Sequence, residues 1–281
     1  MTLWRFSILF LLAACQSPAS LDDLDVAGGN VTFTFSADNT RAACSECFSK
    51  LNVQVFNSSG EKVFDKIKTQ TADDGVFGQM SLELEPGGYT IVAVGHSSAV
   101  SATIKSPQEV RFTASNGEKL TDTFCVTSNF DVGGESEHFD LTMLRATAMF
   151  RLQINDADIP DDFVRIKFTY TGGSANVNPS TLEGITRSTQ TENRVRSESG
   201  VYEVFTFPYM SVNGKIKVTV AALDVAGEVL QERVFDNINI ARNHITTYTG
   251  NFFTAGGGTL TQPEVGFVVD EEWKGEDIVE F

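Results

Sequence analysis

Apolar side chains in this chain return at every second position, in one short segment after another, and that period fits extended strands rather than α-helices. Val31, Phe33 and Phe35 alternate with Thr32 and Thr34, Leu51, Val53 and Val55 with Asn52 and Gln54, and Met80, Leu82 and Leu84 with Ser81 and Glu83. Each reads as a strand with one buried face. Asn57-Ser58-Ser59-Gly60 is a turn leading to an expected hairpin partner over 62–64, and Pro86-Gly87-Gly88 leads to a strand over 89–94. Shorter strands are expected over 109–112, 122–126 and 139–143.

A second set begins at Ala148, where Phe150, Leu152 and Ile154 alternate with Arg151 and Gln153, followed by Val164, Ile166 and Phe168. Strands are expected over 201–207, 216–222, 228–235 and 245–248. Between these, residues 172–199 are rich in Ser, Thr, Asn and Gly and read as a long loop or lid. The break at 141–147 divides the strands into an N-terminal β-domain over 28–143 and a C-terminal one over 144–281, both of ordinary domain size. Many short strands separated by turn residues make the fold class all-β, with two sandwiches. Beyond Gly256-Gly257-Gly258, read as a flexible turn, the strand candidates are Val265, Phe267 and Val269, and Ile278 with Phe281.

The first 14 residues are of a different kind. Arg5 precedes an apolar run over 6–12, then Ala13, Ala14 and Cys15 follow, which is the layout of a secretory signal peptide. The run falls well short of the roughly 20 residues that span a bilayer. Leu12-Ala13-Ala14-Cys15 resembles the bacterial lipobox, in which the cysteine is acylated (palmitate is a typical chain) and cleavage falls just before it. Cys15 is therefore the expected lipidation site, residues 15–27 a solvated tether, and the lipid anchor the expected membrane contact. Gln16, where Asp would favour the inner membrane, resembles an outer-membrane sorting signal.

A formal net charge of −16 repels a phosphate backbone and argues against nucleic-acid binding. Cys44, Cys47 and Cys125 are expected to form one disulfide with one thiol left over in an oxidising compartment, the pairing being open. Cys44 and Cys47 have zinc or redox spacing, but no second cysteine pair follows and the three histidines lie in separate segments. Asp156, Asp158, Asp161 and Asp162 crowd one loop without the spacing of a calcium loop. His138, Glu137 and Asp140 do not make a catalytic set, and no nucleophile elbow, metal helix or phosphate loop occurs. No cofactor, metal or enzymatic activity is expected. The aromatic set is 22 Phe against 5 Tyr and 2 Trp, which reads as core more than as a sugar platform.

The strand over 31–35, the hairpin Lys50-Leu51-Asn52-Val53-Gln54-Val55-Phe56, and the turn and strand Glu85-Pro86-Gly87-Gly88-Tyr89-Thr90-Ile91-Val92-Ala93 resemble the first domain of the fimbrillin and fimbrial-anchor lipoproteins of Bacteroides-type bacteria. The second half is similar in Leu144-Arg145-Ala146-Thr147-Ala148, in Phe205-Thr206-Phe207-Pro208, in residues 243–253 and in Trp273-Lys274-Gly275-Glu276-Asp277-Ile278. The resemblance implies two transthyretin-like, Greek-key β-sandwiches in a surface pilus (fimbrium) subunit or anchor involved in cell adhesion, assembled by strand exchange with other fimbrial subunits. In anchor members the first strand stays in its seat, whereas for polymerising members the resemblance also implies proteolytic maturation after a basic residue behind that strand. Arg41 occupies that place, so Val31, Phe33 and Phe35 mark the candidate exchanged strand. Val265, Phe267, Val269, Ile278 and Phe281 are the candidate donor residues, or equally a final strand pair that completes its own domain. A host protein or glycan is a further partner to consider. The alternative is a surface glycan-binding lipoprotein feeding an outer-membrane transporter.

Overall fold

A computed structural model describes residues 30–37, 44–112, 120–209, 214–254, 259–261, 267–268, 273 and 275–281. Cys15, Arg41, Val265, Val269 and the Gly256 to Gly258 turn lie outside them.

In the first half the strands are β1 (Val31–Ala37), β2 (Lys50–Asn57), β3 (Lys68–Thr71), β4 (Gln79–Leu82), β5 (Gly87–His96), β6 (Thr103–Ser106), β7 (Glu109–Arg111), β8 (Thr123–Val132) and β9 (Glu137–Arg145), with one helical turn, α1 (Cys44–Cys47). They make two leaves. One has the order β4-β1-β9 and the other β3-β2-β5-β8, and the leaves meet only where Phe124 and Cys125 of β8 pair with Arg145 and Leu144 of β9. Val31, Phe33, Phe35, Val53, Val55, Ile91, Phe124 and Met143 fill the space between them.

The second half repeats this plan. Its strands are β10 (Ala148–Ile154), β11 (Arg165–Thr171), β12 (Asn176–Asn178), β13 (Glu183–Gly184), β14 (Thr189–Val195), β15 (Val201–Thr206), β16 (Lys215–Leu223), β17 (Val229–Asn239), β18 (His244–Gly250), β19 (Thr259–Thr261), β20 (Phe267–Val268) and β21 (Gly275–Glu280). The leaves are β15-β10-β18-β21-β20 and β14-β11-β16-β17-β19. Between them lie Phe150, Leu152, Phe168, Tyr170, Val218, Phe235 and Tyr248. All-β sandwich architecture is thus what the alternating pattern requires.

Two expectations need correcting. Residues 172–199 are not a lid: β14 pairs with β11 along seven residues, and β12 joins β7, so the segment closes one leaf and links the two halves. The Ser, Thr and Asn content that suggested a loop belongs to a leaf edge and to short tight pairings. Lys62 makes only an isolated bridge to Phe56, and the partner of β2 is instead β3.

The β3-β2-β5-β8 leaf is also covered on its outer face. Phe56, Val92, Val94 and Cys125 pack there against Ile104, Val110 and Phe112, and against Val177, Leu182 and Phe207 of the second half. Asn52 and Gln54, expected on a wet face, are therefore buried, and each has partners. Asn52 Oδ1 accepts from His96 Nε2 and from the Ala102 amide, both at 2.9 Å, and its Nδ2 donates to Thr69 at 2.9 Å. Gln54 Nε2 donates to the Phe64 carbonyl at 3.0 Å.

His96 is fully buried, edge-on to Phe112. Nδ1 accepts from the Ser98 amide at 3.1 Å, so a second ring proton would face a donor. Burial, and then the charge of Lys50, push its pKa down from 6.5 to about 4. The unfolded chain then binds a proton the fold refuses. This contribution to stability is present above about pH 6.5 and is lost as pH falls toward 4. Thermal unfolding across that interval is expected to show a falling melting temperature, and His96→Gln should flatten the dependence while lowering the plateau.

Candidate functional site

β1 is the element on which the functional expectations converge. It runs parallel to β9 from Val31↔Glu137 to Ala37↔Met143, and antiparallel to β4 from Val31↔Leu82 to Thr34↔Gln79. It is the central strand of its leaf, with backbone partners on both sides. Its side chains alternate as its sequence demands. Val31 and Phe33 are 0% exposed and Phe35 and Ala37 are 4% and 5%, while Thr32, Thr34 and Ser36 face outward.

The inward row sits in an aromatic cradle. Phe33 meets Phe130 edge-on at 5.1 Å and stacks with Phe139 at 5.6 Å, and Phe130 and Phe139 approach to 5.2 Å. On the outer face Thr32 shares a hydrogen bond with Ser81 at 2.8 Å, and Thr34 with His138 Nε2 at 3.1 Å. His138 also pairs with Asp140 at 3.1 Å, since residues two apart on β9 share a face. This trio therefore stitches β1 to its neighbour. Asn30 fastens the start of the strand: Nδ2 donates to the Leu84 carbonyl at 2.6 Å and Oδ1 accepts from the Leu84 amide at 2.9 Å. A lone Asn ahead of a strand gave no signal of this role.

Burying each large side chain of the row contributes about 1.5–3 kcal/mol, so β1 holds a share comparable with the roughly 5–15 kcal/mol net stability of a whole domain. Its departure would cost the sandwich a large part of that stability.

At the other end of the chain, β21 lies parallel to β18 from His244↔Gly275 to Thr249↔Glu280, with β20 on its far side. Val279 is buried, and Phe281 packs against Phe235 at 5.2 Å with Arg233 over its ring at 5.3 Å. Gly250 permits this, because a Cβ there would collide with the Phe281 carbonyl. Of the candidate donor residues, Ile278 points outward and Phe281 inward, while Phe267 belongs to β20. The C-terminal strand here completes its own sandwich.

The remaining candidates are scattered. Cys125 is a free, buried thiol that burial pushes up to about 12, so it is inert as a nucleophile. Cys47 is partly buried at the end of α1. Asp156 accepts from the Phe252 amide, from the Phe253 and Thr254 amides at 3.0 and 2.8 Å, and from the Thr254 hydroxyl at 2.9 Å. Burial works to raise its carboxyl, but these donors together hold it below the ordinary value. The acidic loop thus pins the end of β18. Among the described residues no three His, Cys, Asp or Glu side chains converge as metal ligands, and no helix is long and apolar enough to cross a membrane.

Arg145, Asn243 and Trp273 stand in three separate sequence motifs that gave no sign of meeting in one cluster. Arg145, only 5% exposed, pairs with Asp122 at 2.9 Å, donates to Asn243 at 2.9 Å, and lies between the rings of Phe124 at 4.8 Å and Trp273 at 4.1 Å. It ties β8, the approach to β18 and the C-terminal segment to the point where the halves join. Nothing in the spacing of these residues marks them.

A family profile matches residues 25–280, and its description reads "Family of unknown function (DUF6562)". No curated protein matches the sequence. Among solved structures the chain is similar to a candidate polysaccharide-binding protein from Bacteroides thetaiotaomicron, at 13% identity over 74% of this chain and 79% of that one with TM-score 0.49. A candidate adhesin from Bacteroides ovatus aligns at 15% identity over 72% and 76%, with TM-score 0.48. The fimbrial anchor protein Mfa2 from Porphyromonas gingivalis aligns at 13% identity over 72% and 80%, with TM-score 0.39.

The geometry of β1 predicts an asymmetry along one strand. Phe33→Ala is expected to cost about 3–5 kcal/mol in chemical denaturation, and Thr32→Ala, one residue away on the outer face, about 0.5 kcal/mol or less. Equal effects would mean that β1 is not seated as described.

Proposed function

This chain belongs to DUF6562, a family of unknown function, and from that premise we propose that it is a non-enzymatic surface lipoprotein that builds or anchors a fimbria by exchanging β-strands with neighbouring subunits. The observation that carries the reading is the placement of β1: a strand near the start of the chain fills the middle of a leaf, and the segment that follows it contains Arg41. A cut there leaves β1 attached to the body by backbone pairing and side-chain burial alone. The groove it would vacate offers unpaired edges on β9 and β4 and an aromatic floor, which an incoming strand of alternating pattern satisfies. The resemblance of the sequence motifs to fimbrial-anchor lipoproteins and the lipobox ending in Cys15 support the same reading. Acylation at Cys15 holds the protein on the outer membrane, the tether of 15–27 spaces it from the surface, and the domains are 28–143 and 144–281.

The mature N-terminus separates the two uses of this design. Intact mass of the protein extracted from the cell surface is expected to show either acylated Cys15, the anchor form, or Ala42, the polymerising form; a chain beginning at residues 16–40 or at Met1 fits neither. Cys15→Ala is expected to move the protein out of the membrane fraction, and continued fractionation with membranes would remove the lipoprotein assignment.

A second reading rests on a separate feature. An uncharged groove of about 430 Å³ is lined by Asn57, Ser58, Thr90, Gln108, Asn129 and Ser180, among others. Thr127, also on its wall, has a buried hydroxyl oxygen without a hydrogen-bond partner. Such neutral hydroxyl and amide groups suit a glycan. Binding on a glycan array that Asn129→Ala abolishes would favour this reading, and an array without binding at high protein concentration would remove it.

A further inference from the structure

β21 is well held in every respect but one. Its outward face is tied down by Glu276, which accepts from Arg151 at 3.2 Å and from the Thr247 hydroxyl. Its inward face carries Asp277, Val279 and Phe281, because residues two apart on a strand share a side. Val279 and Phe281 meet the apolar core. Asp277 brings a carboxylate to the same face, beside Thr246 of β18 and opposite Phe267 of β20.

One oxygen of that carboxylate, Oδ1, is buried without a hydrogen-bond partner. The neighbouring hydroxyl is not free to help, since Thr246 donates to the Asn239 carbonyl at 2.9 Å. The hydroxyl of Tyr248, two residues further along the inward face of β18, is likewise buried and unpartnered. Two of the four such atoms among the described residues therefore lie on the inner surface shared by β18 and β21. Burial raises the Asp277 carboxyl above its ordinary range, and His244 pulls it back only in part. A buried polar group without a partner costs free energy that the unseated strand, open to water, does not incur. Val at this position would complete the alternation of the strand.

We propose that Asp277 keeps the C-terminal strand displaceable, by leaving one buried carboxylate oxygen without a hydrogen-bond partner on the inward face of an otherwise well-packed strand. The inference rests on the donor role considered above: a strand that is to serve a neighbour must be able to leave its own sandwich. An inward charge on a strand near a sheet edge also guards against indiscriminate pairing, and the two roles differ in what they predict for the seat.

Hydrogen exchange of the amides of 276–280 in the full chain reads the seat directly. Asp277→Val is expected to slow that exchange by about tenfold or more, and Asp277→Asn by less, because an amide removes the charge but keeps a polar group. Glu280→Val, on the outward face of the same strand, should leave it unchanged. A fluorescent peptide with the sequence of residues 273–281, added in excess, should enter the Asp277→Val protein about tenfold more slowly than the wild type. Unchanged or reduced protection in both Asp277 variants overturns the inference, even if their solubility changes. Slower exchange in a protein whose wild-type form never passes its strand to a second chain would uphold the role of Asp277 and remove the donor assignment instead.

Discussion

The first sandwich is complete only while a strand with alternating apolar side chains occupies the position between β9 and β4. β1 meets that requirement through two rows of backbone hydrogen bonds and through Val31, Phe33 and Phe35, none more than 4% exposed. Emptying the position would leave two unpaired strand edges and uncover Phe130 and Phe139, a combination of unsatisfied backbone and exposed apolar surface that water compensates poorly. A fold with this dependence is stable with its own strand or with another of the same pattern, and unstable with neither. Under the proposed function, an exchanged strand of the same pattern would keep the sandwich intact.

The second half carries the same arrangement in a closed form. β10 lies between parallel β18 and antiparallel β15, as β1 lies between β9 and β4, but β10 follows directly from β9 through Ala146 and Thr147. β18 also takes β21 on its far edge. The halves are joined by more than that connection. β7 and β12 share a sheet, Phe112 and Phe207 belong to one apolar cluster, and Arg145 makes a buried ion pair beside the linker. Breaking such a pair by removing one partner is costly, since it leaves a charge without compensation. The two halves are thus braced against each other.

The alternation of Val31, Phe33 and Phe35, and of Phe150, Leu152 and Ile154, was legible because one face of each strand meets a core and the other meets water. Where both faces are covered the pattern misleads: Asn52 and Gln54 look like outward residues and are buried, because Phe112, Val177 and Phe207 arrive from far along the chain to cover that side. Residues 189–195 look like loop because even the packed side of this edge strand is polar: Gln190 and Glu192 are buried, and Glu192 accepts from the Tyr170 hydroxyl at 2.6 Å and from Arg194 at 2.7 Å. The strand over 31–37 could be read from its period, and its candidacy for exchange only from the family resemblance, whereas the clasp by Asn30, the joint at Arg145 and the unpartnered carboxylate oxygen of Asp277 arise from contacts between segments far apart in the chain, such as Arg145 and Trp273. Such contacts leave no local trace.

Cutting the folded, full-length protein after Arg41 puts the dependence on β1 to the test. The segment bearing Val31, Phe33 and Phe35 should co-elute with the body on size-exclusion chromatography when nothing else is present, and should be released when an excess of the 273–281 peptide is added. Spontaneous loss of the segment from a body that stays folded, or retention against any excess of the competing strand, would contradict the account.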